Sequence, residues 1–157
     1  MTQDAENQGE EETVALGMTR NQLLAFNAGI VDEFRANGGA CGGMFEGNDM
    51  ILLTMKGAKS GRELVSPLTY HPYEGDFVVM ASAGGAPNHP AWYYNLIAHP
   101  DITAEVGTER FSATAVLTAG DERQAVYDSM TAAMPRFAEY QANVEREIPM
   151  FRIVPKS

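Results

Sequence analysis

Short runs of apolar and β-branched residues, separated by turn residues, recur along this sequence and limit the folds open to it. Six of these runs predict β-strands, at residues 50–55, 64–70, 77–81, 102–106, 110–117 and 150–154. The second and third runs flank a turn at 74–76, and the fourth and fifth flank one at 107–109, so each pair is predicted to form a hairpin. No helical segment separates the second run from the third, which disfavours a parallel sheet. The pattern predicts an α+β domain in which about six mostly antiparallel strands close, or nearly close, into a barrel.

The first predicted helix covers residues 20–37. Thr19 as N-cap and Gln22 three residues later form a capping box. Apolar residues at helical spacing predict a core-facing stripe formed by Leu23, Phe26, Ile30 and Phe34. Alternatively, this helix lies on a membrane or covers a pocket, but its polar face is not basic enough for strong attraction to anionic lipid.

Three further helices are predicted between and after the strands. One covers residues 90–99, with Pro90 at its first position. The next begins at Thr118 and ends near residue 134, because Pro135 breaks it, and the last follows that proline. These helices are expected to cap the ends of the barrel.

Length and charge limit the domain organisation and the partners. The chain has 157 residues, which suits one domain and is too short for two ordinary ones. Half of the net charge of −10 comes from five acidic residues in segment 1–13, which has no basic residue. This predicts a disordered acidic tail at residues 1–17 before a single domain at residues 18–157. The negative charge argues against a nucleic-acid partner.

The location of the protein is predicted from what the sequence lacks. The N-terminus is polar and does not resemble a signal peptide, and no apolar run is long enough to span a membrane. The single cysteine, Cys41, permits no internal disulfide, as is usual in a reducing compartment. We therefore expect a cytoplasmic protein, and peripheral contact with the inner face of the cell membrane through the first helix stays open.

A small basic loop joins the first two predicted strands. Its sequence is Gly57-Ala58-Lys59-Ser60-Gly61-Arg62. The glycines let the backbone turn and approach a ligand closely, while Lys59, Ser60 and Arg62 supply charge and hydrogen-bond donors for an anion. The loop is not a Walker A motif, because Leu53 stands at the distal glycine position and a strand follows. From this loop alone, a phosphate site and a plain glycine-rich turn are equally open.

A second motif lies where the third predicted strand ends and a helix begins. Its sequence is Ala81-Ser82-Ala83-Gly84-Gly85-Ala86-Pro87-Asn88-His89-Pro90-Ala91-Trp92. Free backbone N–H groups at a helix start bind an anion or the polar edge of a ring. The small residues leave space for a flat ring against the backbone. Trp92 is expected to form a wall of this pocket, and the alternative is that it fills the end of the barrel.

No other pattern in the sequence is typical of catalysis. His71, His89 and His99 lack the spacing of zinc ligands and are expected at the surface or as helix caps. Cys41 has no neighbouring histidine or second cysteine and is interpreted as an incidental thiol. Since neither a metal site nor a nucleophile is predicted, the chemistry is expected to come from a bound cofactor.

The two motifs together resemble those of the deazaflavin (F420)-dependent nitroreductase family, which includes F420H2-dependent quinone reductase-like split β-barrel proteins. The resemblance covers about residues 52–151 and also includes Phe137-Ala138-Glu139-Tyr140-Gln141 and Ile148-Pro149-Met150-Phe151. It implies an FMN-binding split-barrel-like fold with flanking helices. It further implies hydride transfer from reduced coenzyme F420 to an electron-poor small-molecule acceptor, such as a quinone, a nitroaromatic or an activated enone.

The resemblance also implies which residues bind the cofactor. Ala58, Lys59 and Ser60 match contacts to its phosphate and tail, with Arg62 beside them. The strand that matches backbone contacts consists of Leu64, Val65, Ser66, Pro67, Leu68 and Thr69. The residues that match the segment beside the deazaflavin ring are Met80, Ala81, Ser82 and Ala83. The residues that match the helix start closing over the ring are Ala91, Trp92, Tyr93, Tyr94 and Asn95. Tyr140 matches a tyrosine near the acceptor, and this tyrosine or water is implied as the proton donor.

Two positions depart from the family pattern. Leu64 stands where relatives usually have a second arginine, which leaves open a weaker hold on the phosphate. Phe137 stands where relatives often have tyrosine, which leaves the acceptor preference open. FMN is a less favoured cofactor. The alternative function is a non-catalytic binding protein for F420, FMN, haem or a fatty acid, and a homodimer is left open by the resemblance.

Overall fold

The computed structural model describes residues 13–156, which form nine strands and four helices. The strands are β1 Thr13–Ala15, β2 Met18–Thr19, β3 Met50–Lys56, β4 Glu63–Thr69, β5 His71–Tyr73, β6 Asp76–Met80, β7 Asp101–Val106, β8 Glu109–Leu117 and β9 Met150–Pro155. The helices are α1 Arg20–Ala36, α2 Ala91–Ala98, α3 Gly120–Ala133 and α4 Arg136–Ala142. All six predicted strands are confirmed, each within one residue at either end.

Seven strands form one antiparallel sheet in the order β4-β3-β7-β8-β9-β6-β5. At the usual strand spacing, the two edge strands of a flat seven-stranded sheet would lie roughly 29 Å apart. Here the edge strands β4 and β5 are separated in the chain by Tyr70 alone, and two residues span at most about 7 Å. The sheet must therefore curl until its edges meet. The predicted α+β fold with a nearly closed antiparallel barrel is confirmed.

One predicted hairpin is confirmed and the other is wrong in its partners. Strands β7 and β8 pair as expected, and Val106 lies opposite Glu109. The turn near Gly75 also forms, but it joins β6 to the short strand β5. Strand β4 instead pairs with β3 along its whole length. The difference arises at Tyr70, the last residue of the predicted strand: its N–H donates to Asp49 O at 2.9 Å, and the separate strand β5 begins at the next residue.

Strand β3 is buried on both faces, which explains its unbroken apolar sequence. Ile51, Leu53 and Met55 lie in the cluster inside the barrel, together with Phe151. Leu52, on the other face, packs with α1 in a second cluster. A third cluster lies between the sheet and the pair α3 and α4. The three clusters therefore hold the helices and the connecting loops against the same curled sheet. The cluster inside the barrel contacts α2, and the third cluster contacts α4.

The capping predictions are confirmed for α1 and wrong for α2 and α3. Gln22 N–H donates to Thr19 Oγ1 at 3.2 Å and Thr19 N–H donates to Gln22 Oε1 at 2.9 Å, which is the predicted capping box. Pro90 is the N-cap of α2 and not its first residue. Thr118 does not cap α3, because its hydroxyl donates to Met150 O at 2.8 Å and the helix begins two residues later. Tertiary contact with β9 therefore takes the hydroxyl that the sequence pattern assigned to the helix.

The segment before α1 was predicted to be part of a disordered tail. Its residues 1–12 lie outside the described residues. Thr13–Ala15 pairs with Met18–Thr19 as a small antiparallel sheet, so the described part of the predicted tail is ordered. A single domain at residues 18–157 stays a prediction. Within residues 13–156, no helix has the length and apolar character needed to cross a membrane.

His71 lies half-buried in β5, not at the surface as predicted, and its Nε2 is 2.8 Å from Ser129 Oγ. Burial lowers the pKa of His71 below the ordinary value of 6.5. The unfolded chain therefore binds a proton more readily than the folded one, so the contribution of His71 to stability is complete above about pH 6.5 and is lost as the pH falls below it. We expect His71→Gln to reduce the loss of unfolding free energy between about pH 7 and pH 5 in urea titrations. Equal losses in the variant and the wild type would contradict this assignment.

Candidate active site

The basic loop at residues 57–62 is the turn of the β3–β4 hairpin. Gly57 N–H donates to Arg62 O at 2.8 Å, and Gly61 N–H donates to Gly57 O at 3.0 Å. Ser60 Oγ accepts from Arg62 N–H at 3.1 Å, so the serine shapes the turn from inside. The side chains of Lys59 and Arg62 are exposed, and neither takes part in an ion pair within residues 13–156. Two cations are thus available to an anion at this turn.

Asn95 of α2 connects this loop to the second motif. Its Oδ1 accepts from Ala58 N–H at 2.9 Å, and its Nδ2 lies 3.7 Å from Met55 Sδ. The side chain is only 7% exposed. The basic loop and α2, which begins within the second motif, therefore meet at one buried amide, although 18 residues separate the two motifs in sequence. The sequence pattern contained both partners, but their contact depends on how the barrel curls.

Strand β4 lies at the edge of the sheet, next to the basic loop. In the described part of the chain its one strand partner is β3, so backbone N–H and C=O groups face outward along the other side. Because opposite residues share a face, the register places three of the predicted contact residues on the barrel-interior face, namely Leu64, Ser66 and Leu68. The register places the other three on the α1 side, namely Val65, Pro67 and Thr69. Because these side chains lie on two opposite faces, only the backbone groups of β4 can contact one ligand at all six positions.

The second motif forms a tight turn between β6 and α2. Met80, Ala81 and Ser82 are buried, whereas Ala83 is half-buried and has a positive φ of 49°. Gly85, which also has a positive φ of 86°, leaves space for Tyr140, since a Cβ atom there would lie 3.4 Å from the Cδ1 of that tyrosine. The predicted ring-side segment and the predicted catalytic tyrosine thus lie together.

The start of α2 carries an aromatic group that packs on the core. The centroids of Trp92 and Tyr93 lie 6.0 Å and 5.9 Å from that of Phe151. Both rings are half-buried, Ala91 is exposed, and Tyr94 is 52% exposed. Trp92 therefore packs on the barrel core, and its role as a wall of a ligand pocket stays a prediction.

Arg146 organises the second motif, and the sequence analysis missed it. Its guanidinium donates five hydrogen bonds of 2.7–3.2 Å, to Ala81 O, Ser82 O, twice to Ala86 O, and to His89 Nδ1. Burial lowers the pKa of Arg146 from its ordinary value. In the sequence it stands between Glu145 and Glu147 and looks like part of a solvated charged turn. No local pattern could have identified it, because its partners lie about sixty residues earlier.

A polar network holds the segment that carries Arg146. Gln141 Oε1 accepts from Ile148 N–H at 2.8 Å, and Gln141 Nε2 donates to Arg146 O at 2.8 Å. Arg123, only 8% exposed, donates to Ile148 O at 2.7 Å and to Gln141 Oε1 at 3.2 Å. This network links α3 and α4 to the segment before β9, so Arg146 reaches the loop from a fixed position.

Leu16, in the turn between β1 and β2, also touches the second motif. A Cβ atom at Gly84, which has a positive φ of 66°, would lie 2.7 Å from Leu16 Cδ2. The leucine is 40% exposed. The predicted tail therefore contributes an apolar side chain that covers part of this loop, and only the folded chain reveals it.

The groups available for chemistry are otherwise few. The described residues contain no group of three or more His, Cys, Asp or Glu side chains suited to a metal ion. Cys41 is buried in the α1 cluster, and burial raises the pKa of its thiol, which fits an unreactive side chain. His89 is not the surface or capping residue that was predicted, because it is half-buried against Arg146.

Comparison with known proteins identifies the family of this chain. The model of the F420H(2)-dependent quinone reductase family matches residues 29–155. This chain belongs to that family. It is therefore an F420H2-dependent reductase, and the resemblance found in the sequence is confirmed.

Relatives of this reductase match over most of their length. An F420H(2)-dependent quinone reductase of Mycobacterium tuberculosis is 32% identical over 133 residues, which are 82% of this chain and 87% of the relative. The solved structure of an F420-H2 dependent reductase, FDR-A, is 36% identical with a TM-score of 0.62 and covers 67% of this chain and 93% of its own. A solved domain-swapped dimer is 31% identical with a TM-score of 0.64, and the match covers 82% of this chain and 97% of that one. The split barrel of this reductase is thus shared with its relatives.

Proposed function

We propose that this reductase transfers a hydride from reduced coenzyme F420 to a quinone, at the site formed by the basic loop, β4, the second motif and Tyr140. The observation that carries the proposal is the hydrogen bond of 2.9 Å from Ala58 N–H to Asn95 Oδ1, which joins the two motifs. The quinone acceptor is supported by the family and by the names of its relatives. Nitroaromatics and activated enones are further candidate acceptors.

The residues present fit an anionic, flat-ringed cofactor. Lys59 and Arg62 are exposed and free of ion pairs among the described residues, although the net charge of the protein is −10. They and Ser60 are proposed to hold the phosphate and the acidic tail, with the Ala58 backbone fixed by Asn95. Leu64 offers no charge where many relatives have arginine, so Lys59 and Arg62 carry this interaction.

The other predicted site residues have distinct roles in the proposal. The outer edge of β4 offers backbone groups along the length of the cofactor. The ring is proposed to lie against the segment Met80 to Ala83, with the start of α2 over it, from Ala91 to Asn95. These small and aromatic residues exclude water and fix the orientation of the ring.

The bound cofactor supplies the hydride, from ring carbon C5 of its reduced form. The protein orients the two reactants and supplies a proton. Tyr140 lies beside Gly85 and packs edge-on against Phe137, with ring centroids 5.4 Å apart. Its hydroxyl is proposed to donate the proton that the reduced acceptor needs, and water is the alternative donor.

The assay that tests the proposal combines the purified full chain with reduced F420 and menadione. We expect F420 oxidation to depend on both the enzyme and the quinone. Parallel assays with a nitroaromatic and an enone rank the acceptor classes. If none of the three acceptors supports oxidation above the enzyme-free rate, the proposed reaction is wrong.

Fluorescence titrations with F420 and FMN, run side by side, separate the proposed cofactor from its alternative. Tighter binding of F420 is the expected result. Tight binding of F420 without oxidation by any acceptor would instead support a non-catalytic binding protein. A homodimer and peripheral membrane contact stay predictions.

Replacing Lys59 with alanine is expected to raise the Kd for F420 about tenfold, because one charge-assisted hydrogen bond to the phosphate is lost. Fluorescence titration measures this change. The matched control is Lys156→Ala, which removes the same charge where Lys156 Nζ lies 2.9 Å from Asp101 Oδ1. An equal rise of the Kd in both variants would indicate a general charge effect. An unchanged Kd in Lys59→Ala would mean that the phosphate does not bind at Lys59.

A further inference from the structure

His89 and Arg146 form a pair at the second motif that the proposed function does not use. Arg146 Nη1 lies 2.7 Å from His89 Nδ1, and the same guanidinium donates to three backbone carbonyls of the loop. Arg146 has no carboxylate partner within residues 13–156. Its charge is therefore compensated by carbonyl dipoles and by the histidine ring.

The chemistry of arginine determines the state of this histidine. A guanidinium has N–H donors only and does not lose its proton in proteins. At a separation of 2.7 Å, His89 Nδ1 must therefore be the acceptor. An imidazole that accepts at Nδ1 carries its proton at Nε2. The pair thus selects one neutral tautomer, with Nε2–H as a hydrogen-bond donor.

The surroundings of His89 oppose a second proton on the ring. Burial lowers the pKa of His89 below its ordinary value of 6.5, and the charge of Arg146 lowers it further. The other titratable groups whose rings lie close are Tyr93 and Tyr94 of α2, at centroid distances of 4.4 Å and 6.1 Å. No carboxylate forms an ion pair with His89 or Arg146 within residues 13–156, so nothing in this group favours an imidazolium ion.

His89 lies beside the segment against which the cofactor ring is proposed to lie, because Arg146 bonds both to this histidine and to the carbonyls of Ala81 and Ser82. His89 ends the loop whose carbonyls Arg146 holds and stands two residues before α2 begins. Its ring is half-buried, and no protein partner of Nε2 occurs among the described residues. The Nε2–H group is thus available to a molecule bound beside this loop.

We propose that His89, held by Arg146 as the neutral Nε2–H tautomer, donates a hydrogen bond to a carbonyl oxygen of the molecule bound at the second motif. This inference rests on the proposed function, since that function supplies the two sources of such an oxygen. One source is the pyrimidine edge of the deazaflavin ring, and the other is the quinone. Arg146 is a positioning residue in this arrangement and acts through His89.

If the oxygen belongs to the quinone, the hydrogen bond from His89 has a direct role in the reaction. A hydride brings two electrons and one hydrogen to the quinone, which becomes a hydroquinone monoanion with negative charge on oxygen. A donor directed at that oxygen stabilises the charge as it develops. The proton that completes the hydroquinone comes from Tyr140 or water, and His89 keeps its own proton throughout.

The state of His89 is tested first without turnover. The chain has three histidines, so ¹⁵N-histidine labelling of the full chain gives a simple spectrum, and His89→Gln assigns the signals. We expect His89 to be neutral and protonated at Nε2 at about pH 8, and to gain a second proton only at a lower pH than an ordinary histidine, because burial and Arg146 lower its pKa. In Arg146→Met the pKa of His89 should rise relative to the wild type and the preference for the Nε2–H tautomer should be lost, and Arg146→Lys should restore the original state. The other tautomer, or ordinary titration in the wild type, would overturn the proposal.

The role of His89 is then tested by two substitutions at that position. His89→Phe keeps a ring against Tyr93 but removes the donor, whereas His89→Gln retains an N–H donor near the position of Nε2. We expect His89→Phe to change either the Kd for F420 or kcat with menadione unfavourably by about tenfold. His89→Gln should restore most of the affected value. If the oxygen belongs to the cofactor, the Kd for F420 rises. If it belongs to the quinone, kcat with menadione falls while that Kd is unchanged.

Two results would contradict this role. One is wild-type Kd and kcat in His89→Phe, and the other is an equal defect in His89→Phe and His89→Gln. His99→Phe is the matched control, because it makes the same change at the other end of α2. Failure of the proposed function is recognised separately, as a wild-type protein that oxidises no F420, and the tautomer measurement does not depend on it.

Discussion

Replacing Phe151 with alanine is expected to lower the free energy of unfolding by about 3–5 kcal/mol. Phe151 is 1% exposed and lies in β9 at the centre of the barrel cluster. It pairs with Val79 on one side and Leu117 on the other, so its loss leaves a cavity where three strands meet. Urea unfolding followed by circular dichroism measures the change.

The matched control for this substitution is Leu117→Ala. Leu117 lies directly opposite Phe151 in the β8–β9 register but is 43% exposed, so its removal should change the unfolding free energy by no more than about 0.5 kcal/mol. Phe151 also supports Trp92 and Tyr93 of α2. Equal losses in the two variants would mean that the barrel interior is not the main source of stability.

Replacing Asn95 with leucine is expected to raise the Kd for F420 about 30-fold, equivalent to about 2 kcal/mol. Leucine has the same number and branching of side-chain heavy atoms, but it leaves the Ala58 N–H without the acceptor that now lies 2.9 Å away. The basic loop would lose its connection to α2. Because Asn95 is buried, the free energy of unfolding should fall by a similar amount.

Fluorescence titration and urea unfolding together test the role of Asn95. Asn21→Leu makes the same chemical change on the exposed surface of α1 and is expected to behave as wild type. A stable Asn95→Leu protein with an unchanged Kd would show that the loop binds independently of α2. It would also remove the observation that carries the proposed function.

The strands and the first helix could be predicted because their signals are local. Residues within a few positions of one another specify each of three features: the apolar run of β3, the turn at Gly107 and the capping box at Thr19. The partner of β6 could not be predicted this way. It depends on β5, a three-residue strand that begins just after Tyr70 and beyond the predicted strand, where the sheet curls.

The candidate site also combines parts that local sequence predicts with parts that depend on the fold. The basic loop and the second motif are contiguous in sequence and could be recognised by their composition. Arg146 could not be recognised, because its partners are carbonyls and a histidine that follow β6, and only the pairing of β6 with β9 brings them to it. Leu16 was assigned to a tail for a similar reason, since an acidic composition does not show what one leucine contacts.

By itself, the sequence determined the antiparallel strand set and the family, since these depend on residues close together in the chain, and it predicted an anion-binding loop at residues 57–62. Only the tertiary structure decided that this loop is joined to α2 through Asn95. It likewise decided that Tyr140 lies over Gly85 and that Arg146 selects the tautomer of His89. The physical reason is that each of these contacts joins segments that are distant along the chain. They become neighbours only when β4 and β5 meet and the sheet curls into a barrel.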